Sequence, residues 1–108
     1  MPSIYKVLGQ SNPAASTLTT LYTSPAATQS VCSTLAVCNQ GVSTLVRVAV
    51  RPAGAAIDAA HYIVFDAAVN QSDTLFLTLG VTLDASDVVT VFAGTSTVSF
   101  SLFGTQIT

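Results

Sequence analysis

Side chains that could perform chemistry are few and scattered in this chain of 108 residues. It contains one histidine, two cysteines, five aspartates and no glutamate. His61 could act as a general base or a metal ligand, but both roles need further titratable groups in the same cluster. The sequence places no second histidine, ligand-spaced cysteine or glutamate beside it. No Gly-x-Ser-x-Gly motif provides a hydrolase nucleophile. A structural role for His61 is therefore favoured, and we expect no catalytic, cofactor or metal site.

The aspartates have two possible roles. Their carboxylates could supply oxygen ligands to calcium, and Asp84 and Asp87 are the closest pair. However, Asp73 and Asp87 each follow a serine at a point where a turn is expected. Aspartate and serine are common in turns because their side chains bond the local backbone. We therefore favour a turn-forming role.

Cys32 and Cys38 lie six residues apart in one predicted strand. Strict alternation would put both side chains on one face, about 20 Å apart at about 3.3 Å per residue. This distance is too long for a disulfide. Two free thiols are expected, as is usual for a protein that folds in a reducing cytoplasm.

Two of the three cationic residues, Arg47 and Arg51, share a face of the same predicted strand. They could pair across strands with an aspartate such as Asp66, or they could contact a partner protein, for which arginine is well suited. The following segment, residues 52–60, is the longest irregular connection, and such loops often carry binding residues. The predicted partner interface therefore consists of Arg47, Arg51, Pro52, Gly54 and Tyr62.

The composition limits the class of protein. Half of the residues are apolar, only 7% are charged, and the net charge is −2. The length fits a single domain, residues 1–108. The lack of a basic patch argues against nucleic acid as a partner. No apolar run reaches the roughly 18 to 20 residues of a membrane helix, and the first ten residues do not have the pattern of a secretion signal. The low charge favours association with other chains.

Alternating β-branched and apolar residues predict a chain made of strands. Eight candidates are separated by clusters of Pro, Gly, Asn, Asp and Ser: residues 4–8, 17–23, 29–38, 44–51, 61–66, 74–83, 88–93 and 97–103. Several have one apolar face, formed for example by Val46, Val48 and Val50. One-sided strands of this kind pack as two antiparallel sheets. The predicted fold is an all-β, single-domain antiparallel β-sandwich of about eight strands, jelly-roll or Ig-like.

Several short stretches along nearly the whole chain resemble one family. They are residues 4–10 (IYKVLGQ), 47–52 (RVAVRP), 61–63 (HYI), 77–80 (LTLG) and 98–104 (VSFSLFG). They are similar to small virion structural proteins of tailed bacteriophages, especially those that infect cyanobacteria. None of these stretches is a catalytic motif, and no functional residue of the family carries over.

The resemblance implies a structural virion protein rather than an enzyme. Its expected role is a capsid decoration (cement) protein that binds and stabilises the lattice of the major capsid protein. It would act as a homo-oligomer, a trimer or a dimer, on the capsid surface after synthesis in the host cytoplasm. A tail, neck or fibre component is the alternative within the virion.

A host-surface adhesive that binds glycans is the alternative outside the capsid. Its binding surface would be the 52–60 segment with neighbouring tyrosines. Sugar-binding sandwiches usually present a platform of Trp or Tyr, whereas this chain has no Trp and three Tyr on separate predicted strands. The composition therefore favours the structural role.

Overall fold

The computed structural model of the chain describes residues 2–108, except for the side chain of Leu79. This range contains eight strands and no α-helix: β1 (Ser3–Ser11), β2 (Thr19–Thr23), β3 (Gln29–Asn39), β4 (Thr44–Arg51), β5 (Tyr62–Val69), β6 (Thr74–Leu83), β7 (Val88–Ala93) and β8 (Val98–Ile107). Two short 3-10 turns, Pro52–Gly54 and Ala59–His61, connect β4 to β5. All eight predicted strands are present, and β4, β6 and β7 begin and end where predicted.

The strands form two four-stranded antiparallel sheets that pack face to face. Sheet I has the order β1-β8-β3-β6, and sheet II has the order β2-β7-β4-β5. Successive strands alternate between the sheets, except that β4 and β5 are neighbours in sheet II. Two interleaved Greek keys of this kind make an eight-stranded jelly roll rather than the seven-stranded immunoglobulin arrangement. The predicted β-sandwich is confirmed, and its topology is the first of the two alternatives.

The core lies between the two sheets and follows the alternation of the strands. β4 contributes Val46 and Val48, and β8 contributes Val98, Phe100 and Leu102, all at most 1% exposed. Burying a side chain of this size contributes about 1.5 to 3 kcal/mol relative to exposure. In β6, Leu75, Leu77 and Val81 pack against the core but remain partly exposed. Leu79 belongs to the same predicted stripe, but its side chain lies outside the described residues.

A bulge in β3 changes the face on which its cysteines lie. Cys32 is opposite Gly104 of β8, whereas Thr34 is opposite the adjacent Phe103, so one extra residue is inserted in β3. An insertion of one residue moves all later side chains to the other face of the sheet. Cys32 is fully buried, whereas Cys38 is only partly buried on the outward-facing side. The prediction that both cysteines share a face is therefore wrong.

The sandwich is closed along one side only. Strands β1 and β2, at the edges of the two sheets, pack against each other. They approach so closely that a Cβ atom at Gly9 would overlap the carbonyl oxygen of Leu21. The opposite edges, β5 and β6, make few contacts with each other. One long side of the sandwich therefore remains open.

One end of the sandwich is held together by a buried asparagine at the end of β3. Asn39 is 1% exposed, and its side chain bonds three different connections. Its Oδ1 accepts hydrogen bonds from the Gly41 amide (3.0 Å) and the Thr97 hydroxyl (2.9 Å). Its Nδ2 lies within 2.7 to 3.2 Å of the carbonyl oxygens of Val42, Val69 and Asn70. The turns after β3, β5 and β7 are thereby fixed to one another.

Candidate interaction surface

The outer face of sheet II carries the arginines that the sequence singled out. Since Val46 and Val48 of β4 are buried in the core, Arg47 and Arg51 point away from it. This orientation confirms the alternation that was predicted for β4. Both guanidinium groups are engaged within the chain, in two different environments.

Arg47 lies in a compact cluster with an aspartate and two phenylalanines. Its Nε donates to Oδ1 of Asp66 (2.6 Å), and its Nη2 donates to Oδ2 (3.3 Å). The guanidinium carbon is 4.2 Å from the ring centroid of Phe65 and 4.6 Å from that of Phe92. The hydrogen bonds that Arg47 donates to the Asp66 carboxylate raise the pKa of Arg47. Pairing with Asp66 was one of the two roles weighed for Arg47.

A bulge in β5 builds this cluster. Val46 is opposite Ala67 and Val48 is opposite Val64, so β5 has one extra residue across from Arg47. Asp66 occupies the left-handed region with φ 53°, which costs roughly 1 kcal/mol or more for a residue other than glycine. The bulge lets the adjacent residues Phe65 and Asp66 both reach Arg47. In a regular strand, adjacent side chains point to opposite faces.

Arg51 holds the long connection between β4 and β5. Its Nε donates to the hydroxyl of Thr90 (3.0 Å), and its Nη1 donates to the carbonyl of Ala55 (3.1 Å). The Asp87 carboxylate accepts a hydrogen bond from the amide of Ala53 (2.8 Å) in the same connection. The segment after β4 is therefore fastened to the sandwich by two charged side chains.

His61 completes the end of this connection. The amide of Asp58 donates to Nδ1 of His61 (3.2 Å), while Asp58 Oδ1 accepts a hydrogen bond from the amide of Ala60 (2.7 Å). These reciprocal bonds form a capping box around the Ala59–His61 turn. His61 thus has the structural role that the sequence favoured.

A shallow apolar depression lies between this connection and β5. It has a volume of about 500 Å³ and is lined by Ile57, Asp58, Ala59, Tyr62 and Phe65. The rings of Tyr62 and Phe65 meet edge to face, with centroids 5.0 Å apart. Phe65 is 59% exposed. The depression therefore presents two aromatic rings, one of which belongs to the predicted interface residue Tyr62.

The five predicted interface residues fall into two neighbouring groups. Arg47 and Tyr62 lie around Phe65, whereas Arg51 bonds the connection that contains Pro52 and Gly54. Ile57 lies between the groups, since it borders both the depression beside Tyr62 and a smaller one beside Arg51. Whether these residues bind a partner stays a prediction.

The sequence did not indicate that Ile57 and Phe65 belong to this surface. A third apolar member, Phe92, lies directly opposite Arg47 in the pairing of β7 with β4. Phe65 could not have been found, because only the bulge turns it toward Arg47. Ile57 lies in an irregular segment without a periodic pattern.

The aspartates other than Asp66 serve the local backbone. Asp73 accepts a hydrogen bond from the Thr74 amide (2.8 Å), and Asp87 accepts one from the Asp84 amide (2.9 Å). These bonds confirm the turn-forming role. Within residues 2–108, no group of three or more His, Cys, Asp or Glu side chains is close enough to hold a metal ion.

Cys32 and Cys38 are free thiols, as expected. Cys32 lies in the core, and its burial raises the pKa of the thiol to about 11. The neutral thiol therefore behaves as a small apolar core residue.

The fold and this surface define a class: a jelly-roll β-sandwich with an exposed phenylalanine, Phe65, and two partly buried aromatic rings beside it on the outer face of one sheet. Comparisons of the chain with protein-family models, with curated proteins and with solved structures found no match. In the part of the chain that the structure describes, no helix is long and apolar enough to cross a membrane.

Proposed function

We propose that the chain is a non-enzymatic structural subunit of a tailed-phage virion, acting as a capsid decoration protein that binds the lattice of the major capsid protein. The observation that carries this proposal is the outer face of sheet II. There Phe65 is exposed, and the charge of Arg47 is already paired with Asp66. The similarity to small virion proteins noted from the sequence supports the same role.

The energetics of association favour such a surface. Desolvating an isolated charge at an interface is costly, whereas a charge that keeps its hydrogen-bonded partner loses less on burial. Aromatic residues, including phenylalanine, and arginine are enriched in protein interfaces. The part of sheet II around Phe65 therefore offers a partner apolar area in which the charge of Arg47 is already paired.

The subunit is proposed to act as a homo-oligomer, a trimer ahead of a dimer, because capsid lattices offer threefold positions. Static light scattering after size exclusion tests this part of the proposal. A stable trimer at tens of micromolar supports it. A monomer that remains monomeric in the presence of phage heads contradicts it.

Attachment to heads tests the decoration role. Purified protein is mixed with phage heads that lack it, and the bound fraction is measured by co-sedimentation. We expect saturable binding that is weakened at least tenfold by Phe65→Ala. The matched control is Val42→Ala, since Val42 is 61% exposed but lies in the turn after β3. Equal binding by both variants would show that the contact does not involve Phe65. If the wild-type protein does not bind heads, the decoration role is contradicted.

A glycan-binding adhesive is the second candidate, because the depression beside Tyr62 and Phe65 presents two aromatic rings and the Asp58 carboxylate. Sugars stack on aromatic faces and bond to carboxylates. A glycan array with purified protein distinguishes the candidates. Saturable binding that Phe65→Ala abolishes, without binding to heads, would favour the adhesive.

A further inference from the structure

The free edge of β6 is the feature of the fold that the proposed surface does not use. β6 pairs with β3 on one side only, so the backbone groups along its other side face no strand. Its ten residues, Thr74–Leu83, include no charged residue and no proline. One register shift, between Thr78 and Val81, leaves Thr74–Thr78 as a regular strand segment. Phe76 in this segment is 68% exposed.

The other three sheet edges have features that discourage further strand pairing. β2 is only five residues long. β5 has two register shifts and carries the charged Asp66. β1 carries Lys6 and packs against β2 at Gly9. Short strands, charges, bulges and covered edges are the usual means of protecting a sheet. β6 has no charged side chain, and no other segment of residues 2–108 covers its free edge, although it is one of the two longest edge strands.

The open side of the sandwich lies next to this edge. Leu77 and Val81 of β6 pack on the core but remain partly exposed. Ile63 of β5 is 47% exposed and borders the same apolar space as Val81. A strand added to β6 would place every second side chain over these residues. Backbone bonds and apolar burial would then act together, as in strand addition to other sheets.

We propose that the edge of β6 binds an extended segment of a partner protein, which adds to sheet I as a fifth strand. The segment has alternating apolar residues and a basic residue at each end. Asp73 and Asp84 flank β6, are exposed, and form no ion pair within the described residues. A basic residue at each end of the partner segment would lie beside these carboxylates and neutralise them. As a mode of attachment, this inference rests on the proposed function, under which the segment belongs to another virion protein.

Charge also argues against a second copy of this chain at the same edge. Antiparallel pairing of β6 with itself over its full length would bring Asp73 of one copy opposite Asp84 of the other, at both ends. Like charges directly opposite one another destabilise a strand pair. The partner segment therefore belongs to a different protein.

The probe is a synthetic peptide of five Thr-Val repeats with a lysine at each end, and the matched peptide has glutamate at each end. Binding to the full chain is measured by fluorescence anisotropy, and the contact is located by amide NMR shifts. We expect saturable binding of the lysine peptide, shifts concentrated in residues 74–83, and at least tenfold weaker binding of the glutamate peptide. The double variant Asp73→Asn and Asp84→Asn keeps a side-chain oxygen that can accept the hydrogen bonds of both turns. It should remove most of the difference in affinity between the lysine and glutamate peptides. A lysine peptide N-methylated at alternate residues should not bind.

Three results would overturn the inference: no binding of the lysine peptide to folded protein, shifts located on another strand, or a dimer through β6 in the absence of peptide. These results leave the proposed function standing if the protein still binds heads. Conversely, if the protein binds the peptide but is absent from phage particles, strand addition at β6 is supported and the virion role is rejected.

Discussion

Asn39 is the residue on which three connections of the sandwich converge. The sequence Asn39-Gln40-Gly41 predicted a break between strands, and the chain does turn there. The role of the side chain was not predictable, because its partners at residues 69, 70 and 97 are distant in sequence. A buried polar network of this kind stabilises one arrangement of loops, since each unmet bond is costly.

Replacing Asn39 tests the importance of this network. Asn39→Ala should lower the free energy of unfolding by about 2 to 4 kcal/mol, because a hydroxyl, an amide and three carbonyls lose their partner in a buried site. Urea denaturation of the variant measures the change. Gln40→Ala, at an exposed neighbouring position, should change it by less than about 0.5 kcal/mol. A similar small change for Asn39→Ala would contradict the role.

The ion pair of Arg47 with Asp66 should be measurable but modest. Its side chains are 28% and 35% exposed, and exposed pairs contribute about 1 kcal/mol or less. A double-mutant cycle with Arg47→Ala and Asp66→Ala should give a coupling energy of about 1 kcal/mol from urea denaturation. The cycle Arg51→Ala with Asp66→Ala is the control, since Arg51 bonds other groups, and it should give no coupling. Coupling in the control alone would contradict the cluster.

The raised pKa of Cys32 predicts a loss of stability at alkaline pH. The folded protein holds the thiol protonated up to about pH 11, whereas the unfolded chain releases the proton near pH 9. Above that lower pH the unfolded state binds fewer protons, so stability falls as pH rises from about 9 through 11. Cys32→Val should remove about 2 kcal/mol of this loss, measured by urea denaturation at pH 8 and pH 11. A loss of stability between pH 8 and pH 11 that is unchanged in Cys32→Val would contradict this role of the buried thiol.

At the scale of strands, the alternation of residues predicted where the strands lie, but it did not predict the order of the strands in the two sheets. β4, β6 and β7 were predicted with their full bounds, because a turn-forming residue stands next to each end. These residues are Ser43 and Pro52, Asp73 and Asp84, and Asp87 and Gly94. The faces of β3 and β5 were not fully predictable, because their bulges are set by neighbouring strands. The pairing of Arg47 with Asp66 could be foreseen, but the stacking of Phe65 on Arg47 could not.

Closure of the sandwich along β1 and β2 depends on Gly9. Gly9→Ala would push its new methyl group into the backbone of Leu21, and the two edges would separate. We expect a loss of at least about 2 kcal/mol in the free energy of unfolding, comparable to other cases of overpacking, and faster hydrogen exchange in β1 and β2. Gly80→Ala has no neighbouring atom within 4 Å of the added carbon and should cost less than about 1 kcal/mol. Equal costs would show that the close approach is not required.

At the scale of the whole molecule, the chain is a jelly roll with eight charged side chains, and the proposed function is one of association with other proteins. Arg47, Arg51 and all five aspartates form hydrogen bonds within the chain, in an ion pair, turns or caps. The exposed Phe65 lies on sheet II, and the free edge of β6 lies on sheet I. A subunit that contacts neighbours on two sides would use both features.

The copy number of the protein in purified particles tests the decoration role most directly. Under the proposed function a tailed phage encodes the chain, and quantitative mass spectrometry of its purified particles would give the amount of the protein relative to the major capsid protein. The decoration role predicts many copies per particle, in a constant ratio to the major capsid protein across preparations. Heads of a phage from which the gene is deleted should contain none. Absence from particles, or only a few copies as expected for a tail, neck or fibre component, would contradict the decoration role.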